Sequence, residues 1–226
     1  MIYENICKAK FISRPNRFIA LAEIEGEEEV VHIKNTGRLK ELLIPGSTVY
    51  LNKSDNPNRK TKFDLICVQK NGLMINIDST APNTVMKEWL MSHNFENIIP
   101  EYRYGNSRLD FYFEKNGKKF LMEVKGCTLE ENGAGLFPDA PTKRGAKHLK
   151  ELAKAVNEGY ECVLAFVVQI PGINSVKPNY QTDPGFTEAY FYAQNSGVKI
   201  ACMSCIVSKN EIKADSLQLN TDFGSI

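Results

Sequence analysis

Residues 1–78 alternate apolar and polar positions in short runs, the period of half-buried β-strands, with strand candidates at 10–25, 29–33, 47–51 and 63–77. Turn chemistry separates these runs: Glu25-Gly26, Asn35-Thr36-Gly37, Pro45-Gly46, the cluster from Asp55 to Asn58, and Asn71-Gly72. One short helical piece is expected at 38–43. About five such strands suit a small closed or nearly closed β-barrel of the OB type. At 79–84 the run Ser-Thr-Ala-Pro-Asn-Thr ends the strands and can cap a helix at 85–93. The boundary between a first domain (1–78) and a second (79–226) is placed there.

The second part changes period. After the helix come a strand near 98–104, a hairpin at 107–125 and a long polar loop at 126–141. A helix is expected from 142 to 158, with Thr142 as N-cap and Gly159 as its stop. The apolar run 162–170 reads as a buried strand. A further helix begins at Asp183-Pro184 and stops near Gly197, and the strand 198–207 closes the unit. Mixed strands and helices in this order predict an α/β sandwich around one central mixed sheet.

The hairpin brings chemistry with it. Asn116-Gly117 is a strong two-residue turn signal because both residues tolerate positive φ. With that turn, paired residue numbers sum to 233. Phe120–Phe113, Met122–Phe111 and Val124–Leu109 then place six apolar residues on one face. The other face carries Lys119–Glu114, Leu121–Tyr112 and Glu123 directly opposite Asp110, with Lys125 two residues further on. Opposed carboxylates repel, and a divalent cation such as Mg²⁺ or Mn²⁺, which takes one or two carboxylates with water and phosphate oxygens, would offset the cost. Lys125 could orient a water or stabilise a phosphate under attack. The same register also suits a solvated face on which Lys119–Glu114 and Lys125–Glu123 are surface pairs.

Composition narrows the classes. The formal net charge of +1 excludes a grossly basic nucleic-acid coat protein but not a local basic patch. The chain has no membrane-length apolar run and its amino terminus lacks a signal-peptide pattern, so a soluble cytoplasmic protein is expected. Six cysteines lie mostly in apolar segments. Cys202 and Cys205 form a CxxC that could serve zinc or redox chemistry, but no second CxxC and no HxxxH pair accompany it, so structural thiols are the expectation. No phosphate loop and no dinucleotide glycine motif is present.

Basic residues offer two surfaces for DNA. On the helix at 142–158, Arg144, Lys147, His148 and Glu151 share a face by their three- and four-residue spacing, and that face could meet a phosphate backbone, with His148 binding phosphate or acting as an acid. In the barrel, Arg14, Arg17, Arg38, Lys53, Arg59 and Lys60 lie near turns, where OB-type folds hold nucleic acid. Stacking aromatics are few there, which favours sequence-independent binding. Each of these cations could equally be a solvated or packed side chain.

An Asp ending one strand followed by Glu-x-Lys on the next, here Asp110 and Glu123-Val124-Lys125, resembles the PD-(D/E)xK nuclease-like superfamily, with Leu109 where the signature usually has Pro. The segments RPNRFIA (14–20), NTGRLKELLIPG (35–46), RLDF (108–111), MEVKGCTL (122–129), FPDAPTKRGAKHLKEL (137–152), DPGF (183–186) and GVKI (197–200) resemble the sugar fermentation stimulation (SfsA) family over nearly the whole chain. That resemblance implies an OB-like domain joined to a restriction-endonuclease-like domain. It implies DNA binding without sequence specificity and a link to sugar (maltose) utilisation, and it leaves two readings open, a metal-dependent nuclease and a non-catalytic DNA-binding regulator. It assigns Asp110 and Glu123 as metal carboxylates, the Val124 carbonyl as an extra ligand and Lys125 as the catalytic lysine. Glu88 matches the position of an additional acid in many superfamily members.

Overall fold

The structure is a computed structural model that describes residues 1–219. The first unit is a barrel of β1 (Ile6–Asn16), β2 (Ile19–Ile24), β3 (Glu27–His32), β4 (Thr48–Lys53) and β5 (Phe63–Lys70), with β6 (Leu73–Asn76) added beside β5. The strand order β3-β2-β1-β4-β5 closes on itself through a parallel β3–β5 pairing, the OB-like arrangement expected. The run 10–25 is two strands rather than one. Asn16 Oδ1 accepts the backbone N–H groups of Phe18 and Ile19, at 2.9 and 3.1 Å, and this side-chain turn folds the chain back on itself. The helical piece expected at 38–43 is only a turn, closed by Leu42 N and Leu43 N donating to Leu39 O.

The second unit holds α1 (Ala81–Ser92), β7 (Glu96–Tyr104), β8 (Ser107–Lys115), β9 (Lys118–Cys127), β10 (Leu129–Glu131), β11 (Ala134–Phe137), α2 (Lys143–Asn157), β12 (Glu161–Val168), β13 (Val176–Pro178), α3 (Pro184–Asn195), β14 (Lys199–Val207) and β15 (Ile212–Leu219). The six-stranded central sheet has the order β15-β14-β12-β9-β8-β7 and is mixed, with β9, β12 and β14 parallel. The polar stretch 126–141 is more ordered than expected. It contains the β10–β11 hairpin, and β11 also pairs in parallel with β13. An antiparallel edge strand, β15, extends the sheet beyond the last strand read from sequence.

β12 shows why the sheet needs helices on both sides. Cys162, Leu164, Phe166 and Val168 join one buried cluster, while Val163, Ala165 and Val167 join the other. A strand buried on both faces reads as a continuous apolar run. The first cluster also takes Leu149, Leu152 and Ala153 of α2 with Phe186, Ala189 and Tyr190 of α3, and the second takes Val85, Met86 and Leu90 of α1. The helix termini follow their chemistry. Thr142 Oγ1 accepts from Gly145 N at 3.0 Å, and Asp183 Oδ1 from Phe186 N at 2.9 Å. α1 begins at Ala81, four residues before the expected start, because Pro82 fits the first turn.

The junction between the units is buried and hydrogen-bonded. Asp78 Oδ1 accepts from the Thr80 N–H and hydroxyl, while Oδ2 accepts from Lys34 at 3.2 Å and Tyr3 at 3.3 Å. Gln169 of the second unit donates to Asn76 Oδ1 and to the Asp78 carbonyl. The first residues of the chain also cross over, Ile2 bridging to Glu211 and Tyr3 N donating to Asn210 O. Among the described residues no helix is long and apolar enough to cross a membrane.

Candidate functional site

The β8–β9 hairpin has the expected register from Lys115–Lys118 to Phe111–Met122, each pair summing to 233. The ladder ends there. Asp110 and Glu123 do not pair across the ladder, and Asp110 Oδ2 instead accepts the Val124 N–H at 2.8 Å. The alternation slips at the same point. Phe111, Phe113, Phe120, Met122 and Val124 pack in the α1-side cluster, whereas Leu109 joins Tyr112 and Leu121 in the opposite one. Of the six residues expected on one face, five are there.

The face that carries Glu123 and Lys125 lies under α2, so the solvated-face alternative does not hold for them. The Glu123 side chain is 3% exposed and that of Lys125 is 19%. Glu123 Oε1 accepts from Lys125 Nζ at 2.5 Å and from His148 Nδ1 at 2.5 Å. Its other oxygen, Oε2, is buried with no hydrogen-bond partner. Such an atom is costly in a native interior and calls for an explanation such as an ion. Burial alone would raise the Glu123 carboxyl, but the His148 hydrogen bond and the Lys125 charge outweigh it and hold the group below its ordinary range. Asp110 goes the other way, raised by burial and by the charge of Glu123, with Lys125, the Val124 N–H and Asn83 opposing.

The additional acid expected at Glu88 is placed elsewhere. Its side chain is 52% exposed and pairs with the N-terminal ammonium at 2.7 Å. The α1 residue that does reach the site is Asn83, whose Nδ2 donates to Asp110 Oδ1 at 2.9 Å. Asn83 lies in the Ser79–Thr84 run, whose residue types suit a helix cap as well as a helix interior. Pro82, suited to a first helical turn, is the sequence signal that places Asn83 on the helix. Among the described residues no three His, Cys, Asp or Glu side chains converge into a metal cage. The oxygens at hand are those of Asp110 and the bare Glu123 Oε2, hard donors of the kind that divalent cations take.

The DNA-binding candidates separate by partner. Arg14 donates to four backbone carbonyls, those of Gly37, Arg38, Arg17 and Asn35, at 2.7–2.9 Å. Arg59 grips Asp64 with both terminal nitrogens, at 2.9 and 2.5 Å. Both are occupied in holding loops. Arg17, Arg38, Lys53, Lys60, Arg144 and Lys147 are exposed, whereas His148 is buried. Cys202 and Cys205 are buried on opposite faces of β14, one in each cluster, so they cannot share an ion. A cleft of about 250 Å³ opens where the barrel loop at Asn35 and Gly37 meets Pro82, Gly126, Asp139 and Gln169. Pro82 and Gly126 are the chain neighbours of Asn83 and Lys125, so the cleft adjoins the acidic site.

The chain matches the family model described as the SfsA N-terminal OB domain over residues 12–77. It matches the model for the sugar fermentation stimulation protein RE domain over 80–211. A sugar fermentation stimulation protein homolog of Clostridium beijerinckii is 51% identical over 216 residues, covering 94% of this chain and 96% of that protein. One from Desulfitobacterium hafniense is 50% identical over 217 residues, covering 95% of each. The solved structure of Pyrococcus furiosus SfsA in complex with Ca²⁺ superposes with a TM-score of 0.85 at 30% identity, covering 96% of both chains. With both halves of the chain matched in order and close relatives aligned nearly end to end, the protein belongs to the sugar fermentation stimulation (SfsA) family.

Proposed function

We propose that this chain is a sequence-independent DNA-binding protein with a divalent-metal nuclease site formed by Asp110, Glu123 and Lys125. The observation that carries the reading is the half-satisfied Glu123 carboxylate, buried beside Asp110 and Lys125 with one oxygen bare. A structural carboxylate at that depth would have both oxygens bonded. Asp110, Glu123 Oε2 and the Val124 carbonyl would hold Mg²⁺ or Mn²⁺. The Ca²⁺ in the Pyrococcus furiosus relative's structure supports a divalent ion in this family. When bound, the cation supplies charge stabilisation to a phosphodiester and lowers the pKa of water at the site.

The chain's own residues do the rest. Asn83 and the Val124 N–H hold the Asp110 carboxylate in one orientation. Lys125, the residue of this set with a proton to give, lies where it can donate to a phosphate oxygen once it turns from Glu123. The exposed Arg144 and Lys147 on α2, with Arg17, Arg38, Lys53 and Lys60 on the barrel, provide phosphate contacts that carry no base readout.

The test is incubation of purified protein with single- and double-stranded DNA plus Mg²⁺ or Mn²⁺, beside Asp110→Ala and Lys125→Ala. Metal-dependent cleavage lost in both variants is expected. Cleavage persisting in both would overturn the site. DNA binding without cleavage by the wild type would retire the nuclease and leave a non-catalytic DNA-binding regulator of sugar metabolism.

A further inference from the structure

We propose that His148 is a positioning residue for the cation site and not a phosphate contact, fixing Glu123 through Nδ1–H so that Glu123 Oε2 is presented to a divalent ion. The inference rests on the cation-site reading above and deepens it.

Burial decides against a phosphate contact. The His148 side chain is 6% exposed, held between α2 and the sheet, while its helix neighbours Arg144 and Lys147 face solvent. A phosphate reaching α2 from outside meets those two cations first. The ring has a defined partner on each side. Nδ1 lies 2.5 Å from Glu123 Oε1, and Nε2 accepts from Arg144 Nε at 3.4 Å. A guanidinium only donates, so Nε2 must be the acceptor nitrogen and a neutral ring carries its proton on Nδ1, facing the carboxylate.

The consequence falls on Glu123. Its side chain has three rotatable bonds, and a carboxylate free to rotate would present either oxygen to a cation. Two donors, His148 Nδ1 and Lys125 Nζ, converge on Oε1, and none reaches Oε2. That asymmetry selects the ligating oxygen. If Lys125 leaves to meet substrate, His148 remains, and it alone then keeps the carboxylate oriented. Ligands held this way bind metal more tightly because their orientation is set before the ion arrives.

The experiment measures Mn²⁺ binding to DNA-free protein by calorimetry for the wild type, His148→Ala and His148→Asn. The Asn side-chain nitrogen can stand in for Nδ1–H, but not for a ring reaching outward. His148→Ala should weaken Mn²⁺ about 10–100-fold, and His148→Asn should recover most of that loss. DNA affinity in EDTA should be unchanged in both. Unchanged Mn²⁺ affinity in His148→Ala, no rescue by Asn, or a fall in DNA affinity with a flatter salt response would each overturn the proposal. Should His148→Ala fail to fold, the imidazole ¹⁵N spectrum of the metal-free wild type decides: the Nδ1–H tautomer is expected, and Nε2–H overturns it. If the wild type shows the Mn²⁺ pattern without cleaving DNA, the nuclease reading fails and this inference stands. Metal-dependent cleavage with Mn²⁺ affinity indifferent to His148 is the converse. A wild type with no Mn²⁺ affinity overturns both.

Discussion

Two carboxylates buried among cations, Asp64 in the barrel and Glu123 in the sheet, are satisfied differently. In the barrel, Asp64 is 6% exposed and both its oxygens are engaged. Oδ1 meets Arg59 at 2.5 Å and His32 at 3.1 Å, and Oδ2 meets Arg59 at 2.9 Å and Lys34 at 3.4 Å. In the sheet, Glu123 directs two donors onto one oxygen and leaves the other bare. Full satisfaction marks a lock: Arg59 ties the β4–β5 loop to its own strand, and Lys34 links Asp64 to Asp78 at the junction of the units. Half-satisfaction beside Asp110 and Lys125 is what the proposed cation site requires. Burial and charge alone do not separate the two roles, whereas the tally of lone pairs does.

Substitutions should separate the roles in the same way. The largest effect is expected from Asp64→Ala, which strands Arg59 and Lys34 beside an emptied buried position. Denaturant melts should show a loss of ~3–5 kcal/mol with Mn²⁺ affinity unchanged at permissive temperature. A stability loss below about 1 kcal/mol would show that the barrel carboxylate is no lock. Lys125→Ala should instead lower the DNA cleavage rate about 10²–10³-fold while leaving the fold intact by circular dichroism, and equal rates would break the contrast.

Acid should weaken the lock next. Burial would raise the Asp64 carboxyl, but Arg59, His32 and Lys34 together hold it down to about 2. A depressed folded value means that its stabilisation is complete above the unfolded value near 4 and fades as pH falls toward 2. Wild type should lose ~2 kcal/mol more than Asp64→Asn across that window, and parallel melting curves would contradict it. The smallest effect sharpens the surface half of the comparison. Lys147→Ala should reduce the salt slope of DNA binding by about one, whereas Arg14→Ala should act through loop stability and leave the slope alone.

Much of this was legible from local pattern. The turn at Asn116-Gly117 sets the hairpin register, and parity sends Glu123 and Lys125 to the face opposite Phe120 and Met122. Helix caps at Thr142 and Asp183 were readable from residue type alone. Other features were not. Glu88 and Asn83 both lie on α1, and nothing in spacing says that one reaches Asp110 while the other binds the chain's own N-terminus. Arg14 and Arg59 resembled free phosphate ligands until their carbonyl and carboxylate partners were in view. The β10–β11 hairpin hid in a polar stretch because much of its stabilisation comes from pairing with β13, some forty residues later.

The sequence by itself determined the two-part plan, the central hairpin, and the placement of an acid and Glu-x-Lys on adjacent strands. These depend on turn chemistry and two-residue periodicity, which act between near neighbours. Only the tertiary structure decided that α2 closes over the hairpin. That packing made His148, one of the helix-face residues read as facing DNA, the buried partner of Glu123 and left one carboxylate oxygen bare. The reason is physical: a side chain's charge and hydrogen-bond capacity are local, but whether water or protein satisfies them depends on what the rest of the chain places against it.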